Sequence, residues 1–453
     1  MTTVYIRMKK IGFFSLLCLS SFFHVGQAQK VWTLQECIDY ALTNNIQVQK
    51  NKIAAQTAEQ NLIASKAARL PTLSANSNQN VAWRPFSQQT INLTNGTMTT
   101  SQSLVNYNGS YALSGNWTVW NGGRIGKNIE KNKYSQRIAE LETEQTANSI
   151  QEQIAQIYIQ ILYENEAVKI DSANIKVAEM QLARAKERVN VGDLAKVDVA
   201  QLEAQLTQDK YALVSAQAQL ETYKLQLRQL LEIHGDEPFD VAIPTVGDES
   251  VLAAVPSKTS VYEAALGSRP EVESSNLDIA SAKLDKDIAK ASWYPSISAN
   301  AGIGSSHSSG IHTGAFKQLK TNMSNTLGLT ISIPISDQKQ TKTAVQKAEL
   351  AIRNSELNLE DTRKQLYSNV ENHWLNATTA QQQYIAANAN VKSMQESYDL
   401  ISEQFRLGLK NIVELTVGKN NLLQAEGQKL QSKYTALYNL AMLRFYQGEK
   451  MRL

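Results

Sequence analysis

The segment 154–189, IAQIYIQILYENEAVKIDSANIKVAEMQLARAKERV, places an apolar residue at every seventh position. A second segment, 370–405, VENHWLNATTAQQQYIAANANVKSMQESYDLISEQF, does the same 216 residues later. The matched series are Ile154, Ile161, Val168, Ile175, Leu182 and Val189, then Val370, Ala377, Tyr384, Val391, Tyr398 and Phe405. A sustained seven-residue apolar repeat is typical of a long helix packed along a partner in a left-handed supercoil. A spacing of seven also arises by chance in amphipathic helices, but two series in one register favour a duplicated helical rod.

A second repeat lies upstream of each rod, at an offset of 224 residues, where Pro71 matches Pro295 in a gap-free alignment. In each copy a helical stretch, roughly 45–69 and 270–293, ends at this proline and precedes a strand-like segment. Proline ends a helix and favours extended geometry in the residue before it. The pattern therefore predicts the same helix-to-strand junction in both halves of the chain.

The change of offset predicts a loop of different length in the two copies. Because 224 − 216 = 8, about eight residues are missing from the second copy after position 301. Length changes collect in surface loops, so each copy should contain an outgoing strand, a loop and a returning strand. The expected strands are about 72–83 and 110–120, then 296–304 and 325–335. In the last of these expected strands, apolar residues alternate with a period of two, which indicates one apolar face. These residues are Leu327, Leu329, Ile331, Ile333 and Ile335.

Four strands with one apolar face and one face of Thr, Ser, Gly and Asn resemble the wall of a transmembrane barrel. Aromatic residues suited to the membrane interfaces lie near the strand ends: Trp83, Trp117, Trp120, Trp293 and Tyr294. Plain packing explains any one of them, but five around four short strands favour the membrane interpretation. Since the smallest bacterial barrels have about eight strands, several copies of the chain would share one barrel.

Residues 1–28 are predicted to be a signal peptide, with three cations before a short apolar run at 11–23 and small residues at its end. Its removal would lower Lys+Arg from 45 to 42, equal to the 42 Asp+Glu. This balance disfavours nucleic acid as a partner. One cysteine, Cys37, would remain, so no intramolecular disulfide or cysteine-rich metal site is expected. No later apolar run is long enough to predict a transmembrane helix.

The rods are expected to turn at glycines, which commonly end helices with positive φ. The first helical hairpin is predicted at about 123–232 with its turn at Gly192, and the second at about 338–447 with its turn at Gly408. The first return helix carries a stripe at sevens: Val199, Leu206, Leu213, Leu220 and Leu227. The second stripe is displaced by one residue, which predicts similar but non-identical hairpins: Leu423, Leu430 and Leu437.

The duplicated layout, the strand-to-helix turn Trp120-Asn121-Gly122-Gly123-Arg124 and the glycine-centred tips at 188–199 and 404–415 together resemble the TolC family of outer-membrane efflux channels. The resemblance covers the whole mature chain. It implies a mainly α protein with membrane β structure, in which a homotrimer closes a twelve-stranded barrel continuous with an α-helical periplasmic tunnel. It also implies a periplasmic adaptor protein, an inner-membrane transporter and outer-membrane lipid as partners, and no cofactor.

Family roles can be carried over to residues near the tips. Glu414 matches an entrance acid and Asp198 takes the equivalent place in the first tip, whereas a second family acid falls on neutral Val417. Lys410 matches a basic residue that helps to hold the entrance closed. A carboxylate near a helix N-terminus is also stabilised by the macrodipole, and this explanation stays open for Glu414 and Asp198. Adaptor contacts are expected at Val189, Gly192, Phe405, Leu407 and Gly408.

The prediction divides the chain into a signal peptide (1–28), a first repeat (29–232), a linker or equatorial segment (233–258), a second repeat (259–447) and a C-terminal tail (448–453). An enzyme is not expected, because GxSxG, HExxH and P-loop motifs are missing. The histidines of the mature chain are scattered: His234, His307, His312 and His373. The nearest pair, His307 and His312, is expected in a Ser/Gly-rich loop. The alternative function is an exported structural coiled coil, such as an adhesin stalk, which would not need the period-two strands.

Overall fold

A computed structural model describes residues 31–83, 85–86, 90–94, 97–101, 105–235, 238–245, 247–309, 311 and 313–452. The expected signal peptide and His312 lie outside these residues. The first half contains β1 (Val31–Trp32), α1 (Leu34–Asn44), α2 (Ile46–Ala67), β2 (Thr72–Trp83), β3 (Thr90–Thr94), β4 (Thr97–Ser101), β5 (Val105–Trp120), α3 (Arg124–Asn190) and α4 (Lys196–Leu230). The second half contains β6 (Asp240–Val241), α5 (Asp248–Val251), α6 (Lys258–Ser268), α7 (Pro270–Lys290), β7 (Ser296–Ser308), α8 (Ala315–Thr321), β8 (Ser324–Ser332), α9 (Gln340–Arg406) and α10 (Ile412–Tyr446).

The two helical hairpins are duplicates in length. The outgoing helices α3 and α9 each have 67 residues, and the returning helices α4 and α10 each have 35. Each outgoing helix extends roughly 100 Å at about 1.5 Å per residue. The seven-residue stripes face inward as predicted, since Ile154, Ile161, Val370 and Ala377 are fully buried. Among the described residues, no helix combines the length and apolar character needed to cross a membrane.

The predicted displaced stripe on the second return helix is confirmed only in part, since Leu430 and Leu437 are buried and Leu423 is half-buried. Helix α10 buries a stripe lying 216 residues after that of α4, at Leu415, Leu422, Ala436 and Leu443. It also buries Leu430 and Leu437. The second buried stripe exists because α10 packs against α9 on one side and against α3 and α4 on the other. The register is therefore preserved, and α10 has an additional contact face.

The four long strands form one antiparallel sheet in the order β2-β5-β7-β8. Its register aligns Leu113 with Ile303 and Ala301 with Leu327, which places apolar side chains on one face. The opposite face carries Asn, Ser and Thr, as in the pairing of Asn116 with Asn300. None of the four strands contains Lys, Arg, Asp or Glu. The sheet thus has an exposed apolar face and an uncharged polar face.

The strand ends differ from the sequence expectation. Strand β5 begins at Val105 and β7 continues to Ser308, so His307 belongs to a strand instead of a loop. Strand β8 ends at Ser332, because Pro334 has no N–H to donate to a ladder. Ile333 and Ile335 therefore lie beyond it. The expected polar loops contain the hairpin of β3 and β4 and the short helix α8.

Helix α8 covers the free edge of β7 beyond the last residue paired with β8. The buried Gln318 amide accepts a hydrogen bond from the Ser308 N–H at 2.8 Å and donates one to the Ser308 carbonyl at 3.0 Å. The Asn322 amide donates to the Ser306 carbonyl at 2.8 Å. Two side-chain amides thus replace the missing strand neighbour, which satisfies backbone groups that an edge leaves unpaired.

The segment 233–258, where described, packs into the core between the sheet and the hairpin tips. Strand β6 pairs in parallel with β1, and Val241 and Val251 are buried. The Gln381 amide of α9 donates hydrogen bonds to the carbonyls of Val251 and Ala253 at 2.8 and 2.7 Å. This segment therefore ties the two repeats together around the middle of the rods.

Candidate functional site

Both hairpin tips are built on a glycine that ends the outgoing helix. Gly192 and Gly408 have φ values of 80° and 77°, which confirms the predicted positive φ. The N–H of Asp193 donates to the Arg188 carbonyl at 2.8 Å. In the second tip, the N–H of Leu409 donates to the Gln404 carbonyl at 2.8 Å. These bonds satisfy the terminal carbonyls of the helix in a Schellman-type arrangement. The two tips consequently have the same backbone.

At the second tip, Glu414 closes a capping box at the start of α10. Its carboxylate accepts a hydrogen bond from the Asn411 N–H at 3.2 Å, and its own N–H donates to the Asn411 side chain at 2.9 Å. The Lys410 ammonium also donates to this carboxylate. The Lys410 hydrogen bond, followed by that from Asn411, lowers the pKa of Glu414. The Asn-x-x-Glu spacing is the sequence signal for this box, and it was overlooked in the sequence.

The first tip lacks this arrangement. Ala195 occupies the N-cap position of α4 and offers no side-chain hydrogen bond. Asp198, in the first turn, donates its N–H to the Ala195 carbonyl at 3.1 Å. Lys410 forms an ion pair with Glu414. In the part of the chain that the structure describes, no ion pair joins Lys410 to Asp198.

Arg188 connects the two tips, a role that sequence reasoning missed. Its guanidinium donates to the Asp193 carboxylate at 2.8 Å and to the Phe405 carbonyl at 3.1 Å. It also lies 5.9 Å from the centre of the Phe405 ring. A cation in the last turn of a helix is favoured by the unsatisfied carbonyls there. Arg188 satisfies a carbonyl at the end of the second outgoing helix and pairs with Asp193 in its own tip, and so links the first hairpin to the second.

Apolar side chains are also exposed at the tips of the single chain. Leu407, next to Gly408, is exposed, as are several apolar neighbours: Val191, Val197, Leu409, Val413 and Val417. Phe405 and the half-buried Val189 lie farther from the turn, and Phe405 packs on a small core with Tyr398 and Leu415. Contiguous exposed apolar side chains mark interaction surfaces.

The predicted interface aromatics lie at both ends of the sheet. Trp83 is at the end of β2 remote from the helices. The other four are at the helical end, where Trp117 donates its indole N–H to the Arg69 carbonyl at 2.9 Å and Trp120 lies 6.4 Å from Tyr294 between ring centres. Trp293 immediately precedes Tyr294 and is exposed.

Two further aromatic residues at the remote end were missed. Tyr107 and Tyr111 of β5 flank His307, with ring centres at 5.3 and 6.0 Å. Gly109, the residue between the two tyrosines, makes room for the imidazole. The apolar face therefore ends in aromatic side chains at both limits of the sheet.

The described residues contain no group of three or more His, Cys, Asp and Glu side chains that could hold a metal ion. His373 lies in the core, with its Nδ1 2.8 Å from the Asn439 side-chain oxygen. Burial lowers the pKa of His373. The imidazole is thus part of the packing between α9 and α10.

The outer membrane efflux protein family matches residues 37–232 and 261–449 of this chain. Toxin and drug export protein A of Aggregatibacter actinomycetemcomitans is 22% identical over 409 residues, which cover 89% of this chain and 83% of that protein. Outer membrane protein TolC of Escherichia coli is 24% identical over 298 residues, 63% of this chain and 58% of that protein.

CusC, a protein whose solved structures concern conformational changes in folding and transmembrane channel formation, has a similar fold. Its TM-score is 0.76 at 17% identity, over 91% of each chain. The resemblance seen in the sequence is confirmed, and these relatives are channel proteins, not enzymes. The mainly helical architecture with a four-stranded sheet lies within the fold that this chain shares with that neighbour. The chain belongs to the outer membrane efflux protein family.

Proposed function

We propose that this protein is the outer-membrane exit duct of an efflux or type I secretion system. The duct is passive, is gated at the hairpin tips, and is driven by an inner-membrane transporter through a periplasmic adaptor. The observation that carries the proposal is the two-faced, uncharged sheet joined directly to helices of 67 residues. An apolar face suits lipid and a polar face suits a water-filled lumen.

Closure of the duct requires other copies of the chain. Strands β2 and β8 are the two edges of the sheet, and an unpaired edge is a template for another strand. In a homotrimer, β8 of each copy would pair with β2 of the next, which gives a twelve-stranded barrel. The helical hairpins would then line a periplasmic tunnel below the outer membrane.

The internal repeat supports the same assembly. Within one chain, α10 lies against α3 and α4 of the first hairpin. The face of the second hairpin that corresponds to this docking surface carries an open groove of about 630 Å³, which includes Ala387 and Asn390. These residues lie 216 positions after Asp171 and Asn174 of the first hairpin. The returning helix α4 of a second copy would occupy the groove as α10 occupies its counterpart.

Adaptor docking is proposed at the exposed tips, at Val189, Gly192, Phe405, Leu407 and Gly408. The entrance is proposed at Lys410 and Glu414, with Asp198 in the first tip. Trp83, Trp117, Trp120, Trp293 and Tyr294 would lie at the lipid interfaces. In this scheme the repeats 29–232 and 259–447 each supply two strands and one hairpin, 1–28 directs export, 233–258 forms the equatorial segment and 448–453 the tail.

The test is to extract the protein from membranes in detergent, determine its mass and record its conductance in planar bilayers. The proposal predicts a trimer with discrete channel openings. A water-soluble monomer without conductance would contradict it and would favour the structural coiled coil.

Glu414 is expected to give the channel cation preference and a block by divalent cations, and Glu414→Gln should weaken both. The pKa of Glu414 is lowered from 4.5, so its pairing with Lys410 is fully present above about pH 4.5 and is lost only as the pH falls through the lower, folded-state pKa. Reversal potentials recorded between pH 7 and pH 3 measure this cation preference and its loss at low pH. Asp198→Asn, at the matching place in the first tip, tests separately whether that residue contributes to the entrance. Equal selectivity in wild type and Glu414→Gln would remove Glu414 from the entrance.

A further inference from the structure

The short segments that join the sheet to its helices are rich in cations. The four segments are 66–71, 121–127, 286–295 and 333–342. They contain two acidic residues, Asp287 and Asp337, but eight basic ones: Lys66, Arg69, Arg124, Lys127, Lys286, Lys290, Lys339 and Lys342. Since the chain that follows the expected signal peptide is formally neutral, positive charge is concentrated at this level of the molecule.

The two inner segments pair part of this charge within the chain. We call their contact, where the turn from β5 into α3 meets the end of α7, the intrachain junction. The Lys127 ammonium lies 3.9 Å from the Asp287 carboxylate. One heptad further along α3, the Lys131 ammonium donates to the Asp285 carboxylate at 2.6 Å. Two acidic residues of α7 thus hold the start of α3.

The two outer segments follow and precede the edge strands β8 and β2. In the proposed trimer, the start of α9 in one copy lies beside the end of α2 in the next, and we call this contact the interchain junction. It duplicates the intrachain junction, because α9 corresponds to α3 and α2 corresponds to α7. However, Asp285 and Asp287 correspond to Asn61 and Ile63, 224 positions earlier. The interchain junction therefore lacks both acidic residues.

Cations are nevertheless present at the interchain junction. All four are exposed, and the ion pairs of the described residues include none of them. They are Lys66 and Arg69 beside the end of α2, and Lys339 and Lys342 at the start of α9. The acid of these two segments, Asp337, accepts a hydrogen bond from the Thr341 N–H at 2.7 Å. Two copies would thus bring four cations together with one acid that is already hydrogen-bonded.

The cations of α9 are placed against local preferences. Lys339 and Lys342 stand 216 positions after Gly123 and Gly126. Lys339 has a φ of 66°, which is unfavourable for a residue with a Cβ. The macrodipole also disfavours positive charge at the start of a helix. A charged residue kept in an unfavourable backbone conformation is typical of a functional position.

Exposed apolar side chains adjoin these cations. Leu70 follows Arg69, and Ile335 lies shortly before Lys339; both apolar residues are exposed. The Trp117 indole N–H donates to the Arg69 carbonyl at 2.9 Å, which fixes Arg69 at the limit of the apolar face of the sheet. A lipid offers acyl chains to an apolar face and a phosphate to cations at its limit. A dissolved anion would match the cations alone.

We propose that the interchain junction binds the phosphate headgroup of an anionic lipid in the periplasmic leaflet of the outer membrane. The two exposed cations beside α2 of one copy and the two at the start of α9 of its neighbour hold the phosphate. A trimer has three such sites, each completed by two copies. The phosphate takes the place of the acidic residues of the intrachain junction and offsets repulsion between the cations. This inference rests on the proposed function, because the site exists only in the assembly.

Lipid retention by the full-length protein in a neutral detergent tests the proposal. Phosphatidylglycerol and phosphatidylcholine with the same acyl chains are titrated separately, and the lipids bound to the trimer are counted by native mass spectrometry. We expect three molecules of phosphatidylglycerol per trimer, retained in preference to phosphatidylcholine. Arg69→Gln with Lys339→Gly should weaken phosphatidylglycerol binding about thirtyfold, because each cation near an anionic lipid contributes about fivefold.

Two further variants separate the site from general charge effects. Lys176→Gln with Lys392→Gln is the matched control, since it removes two exposed lysines at duplicate positions of α3 and α9, remote from the sheet. Phosphatidylglycerol binding should then be unchanged. Ile63→Asp keeps every cation and gives α2 the counterpart of Asp287. It should weaken phosphatidylglycerol binding, because the added carboxylate competes with the phosphate for the cations.

The proposal is overturned if wild-type trimer retains both lipids equally, or if the Arg69→Gln, Lys339→Gly variant binds phosphatidylglycerol as the wild type does. Displacement of phosphatidylglycerol by inorganic phosphate at equal concentration would show a site for dissolved anions and would also overturn it. These outcomes leave a conducting trimer. A wild-type monomer without conductance would instead refute the proposed function itself.

Discussion

Lys419→Ala is expected to destabilise the folded chain by about 3–5 kcal/mol. The substitution leaves the Asp209 carboxylate, only 9% exposed, buried without its cationic partner. Asp209→Ala should have a similar effect, since it leaves the Lys419 ammonium uncompensated. Replacement of both partners by Met and Leu removes both charges and should recover most of the loss, because an apolar pair of similar volume needs no hydration.

Urea unfolding followed by circular dichroism measures these differences. The matched control is Lys186→Ala, because Lys186 pairs with Glu203, the counterpart of Lys419 in the first hairpin, and both are half exposed. An exposed pair contributes about 0.2–1 kcal/mol. Equal shifts of the urea midpoint for Lys186→Ala and Lys419→Ala would show that the Lys419 pair is not a buried ion pair in solution.

Gly122→Ala is the second change with a large expected effect. Gly122 has a φ of 68°, and a Cβ there would lie 2.7 Å from the Ala291 carbonyl oxygen. Positive φ alone costs an alanine about 1–2 kcal/mol. The clash adds to this cost because the opposing atom is backbone, which cannot move away by changing a rotamer. We expect loss of the strand-to-helix junction and a large fall in the yield of assembled protein.

The neighbouring glycine supplies a control for this prediction. Gly123 has a φ of 78°, but a Cβ there would meet nothing within 4 Å. Gly123→Ala should therefore show only the conformational cost. Thermal unfolding and the fraction of assembled protein on size exclusion compare the two variants. If they behave alike, the contact between the turn and Ala291 does not determine the junction.

The sequence predicted those features that repeat at fixed spacing. The stripes through Ile154 and Val370 indicated the rods, and Gly192 and Gly408 indicated the tips, because a heptad and a helix-ending glycine are local signals. The prediction of a single displaced stripe on the second return helix was incomplete for a related reason. Apolar residues on α10 form two stripes, and spacing alone does not show which neighbour each stripe contacts.

Long-range polar contacts could not be predicted in this way. Lys419 and Asp209 are 210 positions apart, and Arg188 reaches a carbonyl 217 positions away. Charged residues at such separations have many possible partners, and their pairing follows only from the packing of the two hairpins. The Glu414 capping box, by contrast, joins residues only three positions apart and was predictable from the Asn-x-x-Glu spacing.

Because the two hairpins are equal in length, the length of one cannot change without the length of the other. Because each outgoing helix has 67 residues and each returning helix 35, an insertion in one hairpin alone would leave the two tips at different heights. Arg188 could then no longer reach the Phe405 carbonyl. A heptad added to one helix would need a heptad in each of the other three. The distance from membrane to tip can therefore change only in steps of about 10 Å, and only by coordinated change in both halves of the gene.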